Sequence, residues 1–203
     1  MKVYVVGYGR HYPCWIKDYE LVDNLKNADI VYFTGGEDVT PELYGCKKHH
    51  TTMNNIFRDN EERRIFEQIE SHQIAIGTCR GNQFLTVMNG GLLVQNCNNH
   101  ARWGTHEITN GIDRYQITST HHQMAYPFYM DKSHYDILYW AEGLSDIYEG
   151  DKIDPSLIDK EPEIIYYHVP GKPKCLGIQG HPEMMAPGKL WDMLNTILKQ
   201  IWI

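Results

Sequence analysis

The sequence has no long hydrophobic run and no cluster of basic residues. No apolar stretch approaches the roughly 20 residues needed to span a bilayer, so no membrane partner is expected. The first seven residues contain one lysine and a very short apolar run, which is typical of a first strand and not of a signal peptide. The 19 basic and 26 acidic side chains give a formal charge of −7, which is poorly suited to phosphate backbones, so no nucleic-acid partner is expected.

Cysteine is scarce and irregularly spaced. The chain contains five cysteines, namely Cys14, Cys46, Cys79, Cys97 and Cys175. An odd number without a regular spacing argues against a disulfide framework and favours a reducing compartment. We therefore expect a cytoplasmic location.

Familiar signatures of cofactor and metal sites are also missing from the sequence. The Gly35-Gly36 pair lacks the Lys-Ser/Thr of a phosphate-binding loop and the spacing of a dinucleotide fingerprint. Cysteine and histidine come together at residues 46–50 and 97–100, but neither spacing recurs as a paired zinc-ligand pattern. We expect no cofactor and no metal, and we interpret these histidines as solvated loop residues.

Strands alternate with helices along the chain. The predicted strands cover residues 2–7, 29–33, 74–78, 92–94, 115–118, 163–168 and 174–179, and the predicted helices cover 59–70, 80–88 and 190–203. Residues 143–163 are predicted to form loop or edge structure. The charged run 58–63 is interpreted as a solvated helix start with Asp59 or Asn60 as its N-cap. This alternation predicts an α/β fold with three layers and a central, mainly parallel sheet, in a single domain spanning 1–203.

Cys79 stands between a predicted strand and a predicted helix. A cysteine at such a turn meets outward-pointing N–H groups and the positive end of the helix dipole, and both favour the nucleophilic thiolate. Far along the chain, His181 and Glu183 supply an imidazole and a carboxylate on either side of a proline. Together these residues predict a Cys79–His181–Glu183 catalytic triad.

Four segments in the same order resemble a known superfamily. Residues 77–83 (GTCRGNQ) are similar to the nucleophile motif of class I glutamine amidotransferases, and residues 181–183 (HPE) to their His-x-Glu motif. Residues 34–45 (TGGEDVTPELYG) and 119–123 (STHHQ) resemble the gamma-glutamyl hydrolase and gamma-glutamyl-polyamine hydrolase branch, of the cysteine peptidase type. The resemblance implies the flavodoxin-like fold of class I glutamine amidotransferases.

The same resemblance implies roles for further residues. Backbone N–H groups near Gly35 or Gly36 and at Arg80 would form the oxyanion hole. Gln83, one helical turn after Cys79, would contact the substrate. A segment bordering the glutamyl pocket would contribute Ser119, His121 and His122, and which of the two histidines faces the pocket stays open.

The chain departs from this branch at Gly180, where its hydrolases often carry a bulky aromatic residue. We expect the glycine to leave open space beside His181. Three functions remain open. The chain hydrolyses a gamma-glutamyl amide (glutamine or a gamma-glutamyl conjugate) through a thioester. Alternatively, it is a glutaminase subunit that supplies ammonia to a separate ligase or synthetase partner, since these 203 residues contain no synthetase domain. A non-catalytic binding protein that retains the fold is the third, and the complete triad counts against it.

Overall fold

The computed structural model describes residues 1–100 and 104–202. Within them the strands are β1 (Lys2–Val6), β2 (Glu20–Leu21), β3 (Ile30–Phe33), β4 (Ile74–Thr78), β5 (Leu92–Val94), β6 (Asn96–Cys97), β7 (Thr105–Thr109), β8 (Arg114–Thr118), β9 (Met124–Tyr126), β10 (Tyr135–Ala141), β11 (Tyr148–Glu149), β12 (Glu161–Tyr167) and β13 (Lys174–Ile178). The α-helices are α1 (Ile56–Phe66), α2 (Arg80–Met88) and α3 (Lys189–Trp202). Ile203, the last residue of the predicted closing helix, lies outside the described residues.

The main sheet of the described residues has nine strands in the order β2-β1-β3-β4-β13-β12-β10-β7-β8. The strands from β2 to β13 pair in parallel, and those from β13 to β8 pair antiparallel. The predicted α/β fold is confirmed, and the sheet is mixed, with its parallel part carrying β4 and β13 side by side. Because parallel neighbours end at the same edge, the residues that follow β4 and β13 meet there.

Alternation along β3 divides the core into two layers. Ile30 and Tyr32 pack in the cluster that contains the apolar face of α3, whereas Val31 and Phe33 pack in the cluster that contains residues of α1 and α2. All four side chains are fully buried. A strand covered on both faces reads as an unbroken apolar run, which is the pattern this segment shows.

Two predicted elements differ from the structure. Helix α1 begins earlier than predicted, because its N-cap is Asn55, whose side chain accepts from the backbone N–H groups of Phe57 and Arg58. The predicted caps Asp59 and Asn60 lie inside the helix. The C-terminal part of the segment 143–163 is not at an edge, because β12 lies between β13 and β10. Every helix in the described residues is too short or too polar to cross a bilayer.

Candidate active site

Cys79 lies at a sharp bend between β4 and α2. Its backbone has φ +53° and ψ −110°, a conformation that costs energy for any residue with a side chain. The bend is fastened to β13, because the Cys79 N–H donates to the Ile178 carbonyl at 2.8 Å. This strained strand-to-helix turn presents the Cys79 side chain at the edge of the sheet, as a nucleophile elbow does.

Two glycines allow α2 to approach the sheet closely enough for that bend. A Cβ atom added to Gly77 would lie 2.4 Å from the backbone of Gly81, and one added to Gly81 would lie 2.2 Å from the Phe33 carbonyl oxygen. Backbone atoms do not yield to such contacts, so both positions require glycine. The Gly-x-x-x-Gly spacing around Cys79 therefore has a packing reason.

The parallel pairing of β4 and β13 brings His181 and Glu183 to Cys79. His181 Nδ1 lies 2.6 Å from Glu183 Oε1, and the His181 imidazole also hydrogen-bonds with the Cys79 side chain. Burial acts to lower the pKa of His181, but the hydrogen bonds and charges of Cys79 and Glu183 outweigh it and raise that pKa to about 10. The three predicted triad residues thus form one connected group in which the imidazolium form of His181 is stabilised.

Strand β8 holds the backbone beside this group. The His181 N–H donates to Thr118 Oγ1 at 2.7 Å, and the same hydroxyl lies 3.1 Å from the His181 carbonyl oxygen. A Cβ atom on Gly180 would lie 2.5 Å from Ile117 Cγ1 and 2.6 Å from the Thr118 carbonyl oxygen. The expectation of open space at Gly180 is therefore wrong, because β8 fills that space.

Arg58 holds the peptide groups of the glycine loop, residues 34–36. Its Nη2 donates to the Gly35 carbonyl at 3.0 Å and to the Thr34 carbonyl at 3.3 Å. The N–H and C=O of a trans peptide point in opposite directions, so these bonds turn the N–H groups of Gly35 and Gly36 away from Arg58. An arginine from α1 thereby fixes the two predicted oxyanion donors.

Gly35 borders Cys79 and His181 directly. A Cβ atom on it would lie 3.1 Å from His181 Cε1 and 3.6 Å from Cys79 Cβ. The opposite predicted donor is the N–H of Arg80, the first residue of α2, where helical N–H groups have no intrahelical acceptor. The structure therefore brings the glycine loop and the start of α2 to the same side chain.

Tyr12 is a site residue that the sequence analysis missed. A Cβ atom on Gly35 would lie 2.8 Å from the Tyr12 hydroxyl oxygen, and the Tyr12 ring centroid lies 6.1 Å from that of His181. Burial, reinforced by the charges of Glu183 and Cys79, raises the pKa of the Tyr12 hydroxyl to about 12, so the phenol is neutral. Its place depends on packing between two short 3₁₀ turns, Tyr12–Trp15 and Pro182–Met184, which no motif announces.

The Arg80 side chain is buried against α1. It donates to Asp59 and to Glu62, and the side chains of Arg80, Asp59 and Glu62 are 1%, 0% and 2% exposed. Glu62 also pairs with Arg58 at 2.8 Å. The charged run 58–63 is thus partly an internal ionic network that joins the glycine loop to the start of α2, and its interpretation as a solvated helix start is wrong.

Replacing Arg80 by methionine should lower the free energy of unfolding by about 3–5 kcal/mol, because it leaves two buried carboxylates without their shared partner. Chemical denaturation measures the loss. The matched control is Arg63→Met on α1, the helix that carries Asp59 and Glu62, where the Arg63 and Glu67 side chains are 54% and 57% exposed. That variant should lose less than about 1 kcal/mol, and similar losses in both variants would contradict a buried network.

Three of the predicted substrate-binding residues, Gln83, Ser119 and His121, lie where the segment 119–123 meets α2. Gln83 Nε2 donates to the Gln123 carbonyl at 3.0 Å, so part of its amide holds this segment in place. Ser119 Oγ donates to the His100 carbonyl, and His121 Nδ1 lies 2.9 Å from the Gln123 carbonyl oxygen. Ser119 and His121 are both buried, and within the described residues their side chains bond to the His100 and Gln123 carbonyls and not to the Cys79 group.

His122 differs from its neighbour. Its side chain is 35% exposed, against 1% for His121. His122 Nε2 lies 3.1 Å from Asp38 Oδ1, just beyond the glycine loop, and this hydrogen bond raises the pKa of His122. The structure therefore places His122 beside the glycine loop and turns His121 inward.

Comparison with known proteins agrees with this geometry. A model of the peptidase C26 family matches residues 12–133, which hold Tyr12, the glycine loop and the Cys79 bend. The chain belongs to the peptidase C26 family. The members of this family are class I glutamine amidotransferase-like proteins, a group of cysteine-type amide hydrolases and amidotransferases.

Relatives of this peptidase C26 member align over part of their length. The "Putative glutamine amidotransferase-like protein YvdE homolog" of Lactococcus lactis subsp. cremoris is 38% identical over 79 residues, which cover 36% of this chain and 42% of the relative. "Protein NtpR" of Enterococcus hirae is 31% identical over 81 residues, which cover 39% of this chain and 34% of the relative. The alignments thus span less than half of the curated relatives.

Solved structures share the fold over nearly the whole chain. A "putative gmp synthase subunit a protein" from Thermoplasma acidophilum superposes with a TM-score of 0.60 at 14% identity, covering 99% of this chain and 96% of that one. A glutamine amidotransferase from Thermotoga maritima gives a TM-score of 0.57 at 14% identity, covering 100% of this chain and 85% of that one. The flavodoxin-like glutamine amidotransferase fold implied by the motifs is therefore confirmed.

Proposed function

We propose that this peptidase C26 member is a cysteine-dependent hydrolase that cleaves a gamma-glutamyl amide bond, in glutamine or in a gamma-glutamyl conjugate. The observation that carries the proposal is the strained Cys79, whose side chain hydrogen-bonds with a His181 held in turn by Glu183. A nucleophile, a base and a residue that orients the base are the parts that acyl transfer requires.

In the first step Cys79 Sγ attacks the side-chain carbonyl carbon of the substrate, while the proton of the Cys79–His181 pair is held by His181, whose charged form is stabilised. The new S–C bond converts the carbonyl oxygen to an oxyanion. When the tetrahedral intermediate collapses, the C–N bond breaks and His181 returns the proton to the leaving nitrogen. Glu183 keeps the ring oriented and stabilises its charged form throughout.

The oxyanion is stabilised by main-chain donors in this mechanism. The N–H groups of Gly35 or Gly36 approach from the loop that Arg58 fixes, and the Arg80 N–H approaches from the start of α2. Each such donor contributes roughly 3 kcal/mol to the transition state when it is held in place beforehand. The buried network of Arg58, Arg80 and the carboxylates of α1 supplies that rigidity.

In the second step water attacks the thioester. His181 takes one proton from the water, the S–C bond breaks, and that proton restores the protonation of the Cys79–His181 pair. The second water proton stays on the new gamma-carboxyl group, which releases it to solvent as the product leaves as a carboxylate. The overall reaction consumes one water and releases ammonia from glutamine or an amine from a conjugate. It needs no redox partner.

The resemblance to the gamma-glutamyl hydrolase branch rests on residues 34–45 and 119–123. Both segments belong to one neighbourhood, since His122 from the second bonds Asp38 from the first. This contact supports a glutamyl pocket bordered by the glycine loop, with His122 as the histidine nearer the substrate. Gln83 would border the same pocket from α2, while Ser119 and His121 would support it from beneath.

A second candidate is a glutaminase subunit that delivers ammonia to a separate synthetase. It is favoured by the structural likeness to the Thermoplasma acidophilum protein, whose name is that of a synthase subunit and whose length this chain matches almost completely. The chemistry at Cys79 would be the same. The partner would govern when ammonia is released.

Ammonia release from glutamine, measured beside cleavage of a panel of gamma-glutamyl amines, tests the proposal on the purified chain. Turnover of the amines above that of glutamine identifies a conjugate hydrolase. Turnover of glutamine alone favours the glutaminase. Alpha-linked glutamyl amides serve as the matched control, and their cleavage at the rate of the gamma-linked compounds, or no turnover of any compound, would contradict an independent gamma-glutamyl hydrolase.

A further inference from the structure

A second group of polar side chains lies inside the protein, apart from the Cys79 bend. We call it the His–Glu cluster: His100, His106, His121 and Glu163. His100 Nδ1 lies 3.5 Å, His121 Nε2 3.7 Å and His106 Nε2 2.8 Å from Glu163 Oε1. His100, His121 and Glu163 are buried, and none of the four takes part in the proton transfers or bond changes of the proposed hydrolysis. Their presence therefore needs a separate explanation.

The hydrogen bonding of His121 fixes its tautomer. Nδ1 lies 2.9 Å from the Gln123 carbonyl oxygen, which only accepts, so Nδ1 carries the hydrogen. In the neutral ring Nε2 is then a bare lone pair, and among residues 1–100 and 104–202 this buried atom has no hydrogen-bond partner. It faces the Glu163 carboxylate, which is also rich in electrons. A cation between the two groups would turn this repulsion into attraction.

His100 repeats the arrangement. It is fully buried, and within the part of the chain that the structure describes neither of its ring nitrogens has a hydrogen-bond partner. Nε2 points to Glu161 Oε2 at 3.5 Å, and Nδ1 points to Glu163 Oε1 at 3.5 Å. When the hydrogen of the His100 ring is on Nε2, facing Glu161, the lone pair is on Nδ1. The Nδ1 lone pair of His100 and the Nε2 lone pair of His121 then both point to Glu163 Oε1. Two lone pairs and a carboxylate thus converge on one point.

Two buried carboxylates, those of Glu161 and Glu163, face the cluster, and His106 Nε2 offsets the charge of one of them at 2.8 Å, the distance of a charge-assisted hydrogen bond. Among residues 1–100 and 104–202, the ion-pair partners of Glu161 and Glu163 are all histidines, without a lysine or an arginine. Protonation of both ring nitrogens of His100 and His121 would supply positive charge to these carboxylates. However, charge-assisted N–H···O bonds close to about 2.7–2.9 Å, and the separations of His100 and His121 from Glu163 are 3.5 and 3.7 Å. Those separations leave room for a metal ion between the two imidazoles and the Glu163 carboxylate.

We propose that the His–Glu cluster binds a divalent transition-metal ion, for which Zn²⁺ is the matched probe, through His100 Nδ1, His121 Nε2 and the Glu163 carboxylate. Zinc–ligand bonds of about 2.0–2.2 Å place two ligands of a tetrahedral site about 3.4 Å apart. The three ligand atoms lie within 4.8 Å of one another, so small side-chain movements complete the geometry. Imidazole nitrogen and carboxylate oxygen form a ligand set that such ions accept.

The neighbouring groups match the outer partners of a metal site. His106 Nε2 lies at hydrogen-bond distance from Glu163 and would orient its carboxylate, while Glu161 would receive the outer N–H of His100. The Gln123 carbonyl receives the outer N–H of His121, at Nδ1. Contacts of this kind fix ligand tautomers and raise ligand basicity.

The ion would have a structural role. It would join β12 to the segment 119–123, whose Gln123 carbonyl also accepts from Gln83 on α2. The expectation of no metal came from local spacing, and spacing does not show this site because its ligands are far apart in the chain and meet through β12. The inference does not depend on the proposed reaction.

Zinc titration of the full, untagged chain tests the site. After treatment with a chelator, the protein should take up one Zn²⁺ per chain in competition with a chromophoric zinc indicator, and its melting temperature should rise. Co²⁺ in place of Zn²⁺ should give the visible absorption of a four- or five-coordinate site with nitrogen and oxygen ligands. Failure of the wild-type chain to bind one equivalent would overturn the proposal.

Two variants assign the binding to these residues. Glu163→Gln keeps the side-chain shape but removes the charge, and it should weaken Zn²⁺ binding by more than about 100-fold. The matched control is the double variant His50→Ala/His72→Ala, which removes two exposed histidines and should bind as the wild type does. Unchanged binding by Glu163→Gln, or loss in the control, would overturn the assignment. If Glu163→Gln does not fold, the Co²⁺ spectrum of the wild-type chain decides.

Discussion

Replacing Cys79 by alanine should reduce cleavage of the gamma-glutamyl bond by at least about 10⁴-fold, since removing one member of a unit that acts together removes nearly all of its contribution. The fold should survive. The Cys79 backbone is held by β13 and by the start of α2, and alanine retains the same backbone and the same Cβ. Steady-state kinetics with the best substrate of the panel and thermal melting together measure both expectations.

The control for Cys79 is another cysteine that lies away from His181. Cys46 is buried, and its Sγ lies 3.4 Å from the Asp151 carbonyl oxygen. Cys46→Ala should keep the activity of the wild type. Full activity in Cys79→Ala, or equal losses in both variants, would remove Cys79 from the reaction and leave the non-catalytic binding protein as the better interpretation.

Replacing Glu183 by glutamine should lower kcat by a factor on the order of 10³ to 10⁴, the loss expected when the residue that orients a catalytic histidine becomes neutral. Glu183 Oε1 lies 2.6 Å from His181 Nδ1 and is one of the groups that raise the pKa of His181 to about 10. In the variant this pKa should fall. The pH profile of kcat should therefore shift as well as drop.

The same variant makes a prediction about stability. The pKa of His181 is raised from an ordinary 6.5 to about 10, so its interactions stabilise the folded chain fully below pH 6.5 and are lost as the pH rises through 10. The wild type should therefore lose free energy of unfolding over this range, and Glu183→Gln should lose less. Equal slopes of stability against pH in the two proteins would contradict the role of the pair.

The bend at Cys79 could be predicted because its causes are local. A buried strand, a cysteine and two glycines within a few residues determine the bend at Cys79, and the Gly77 and Gly81 contacts explain why that pattern is needed. The meeting of His181 with Cys79 needs one further fact, the parallel pairing of β4 and β13. The resemblance supplied that fact, because spacing in the sequence does not say which strands are neighbours.

Other parts of the site arise from packing between distant segments. Arg58 and Glu62 looked like solvated residues because charges on a helix usually face water. Their burial depends on Arg80, which reaches α1 from the next helix. Tyr12 likewise reaches Gly35 only because two short turns pack together. Local pattern cannot report an interaction whose partner is set by the tertiary fold.

At Gly180 the sequence pattern also led to a wrong expectation, in this case of open space where the structure is filled. A glycine in place of a bulky residue suggests an enlarged pocket when only the chain itself is considered. In the structure Ile117 and the Thr118 carbonyl of β8 occupy that space. Glycine at this position therefore allows β8 to pack directly beside His181.

Covalent labelling tests the central claim most directly. The purified wild-type chain is treated with a glutamine-like electrophile, and the modified peptides are identified by mass spectrometry, with and without an excess of glutamine. The account predicts that Cys79 is labelled far faster than Cys14, Cys46, Cys97 and Cys175, and that glutamine protects it. Labelling that spreads over the cysteines according to their exposure, without protection by glutamine, would contradict it.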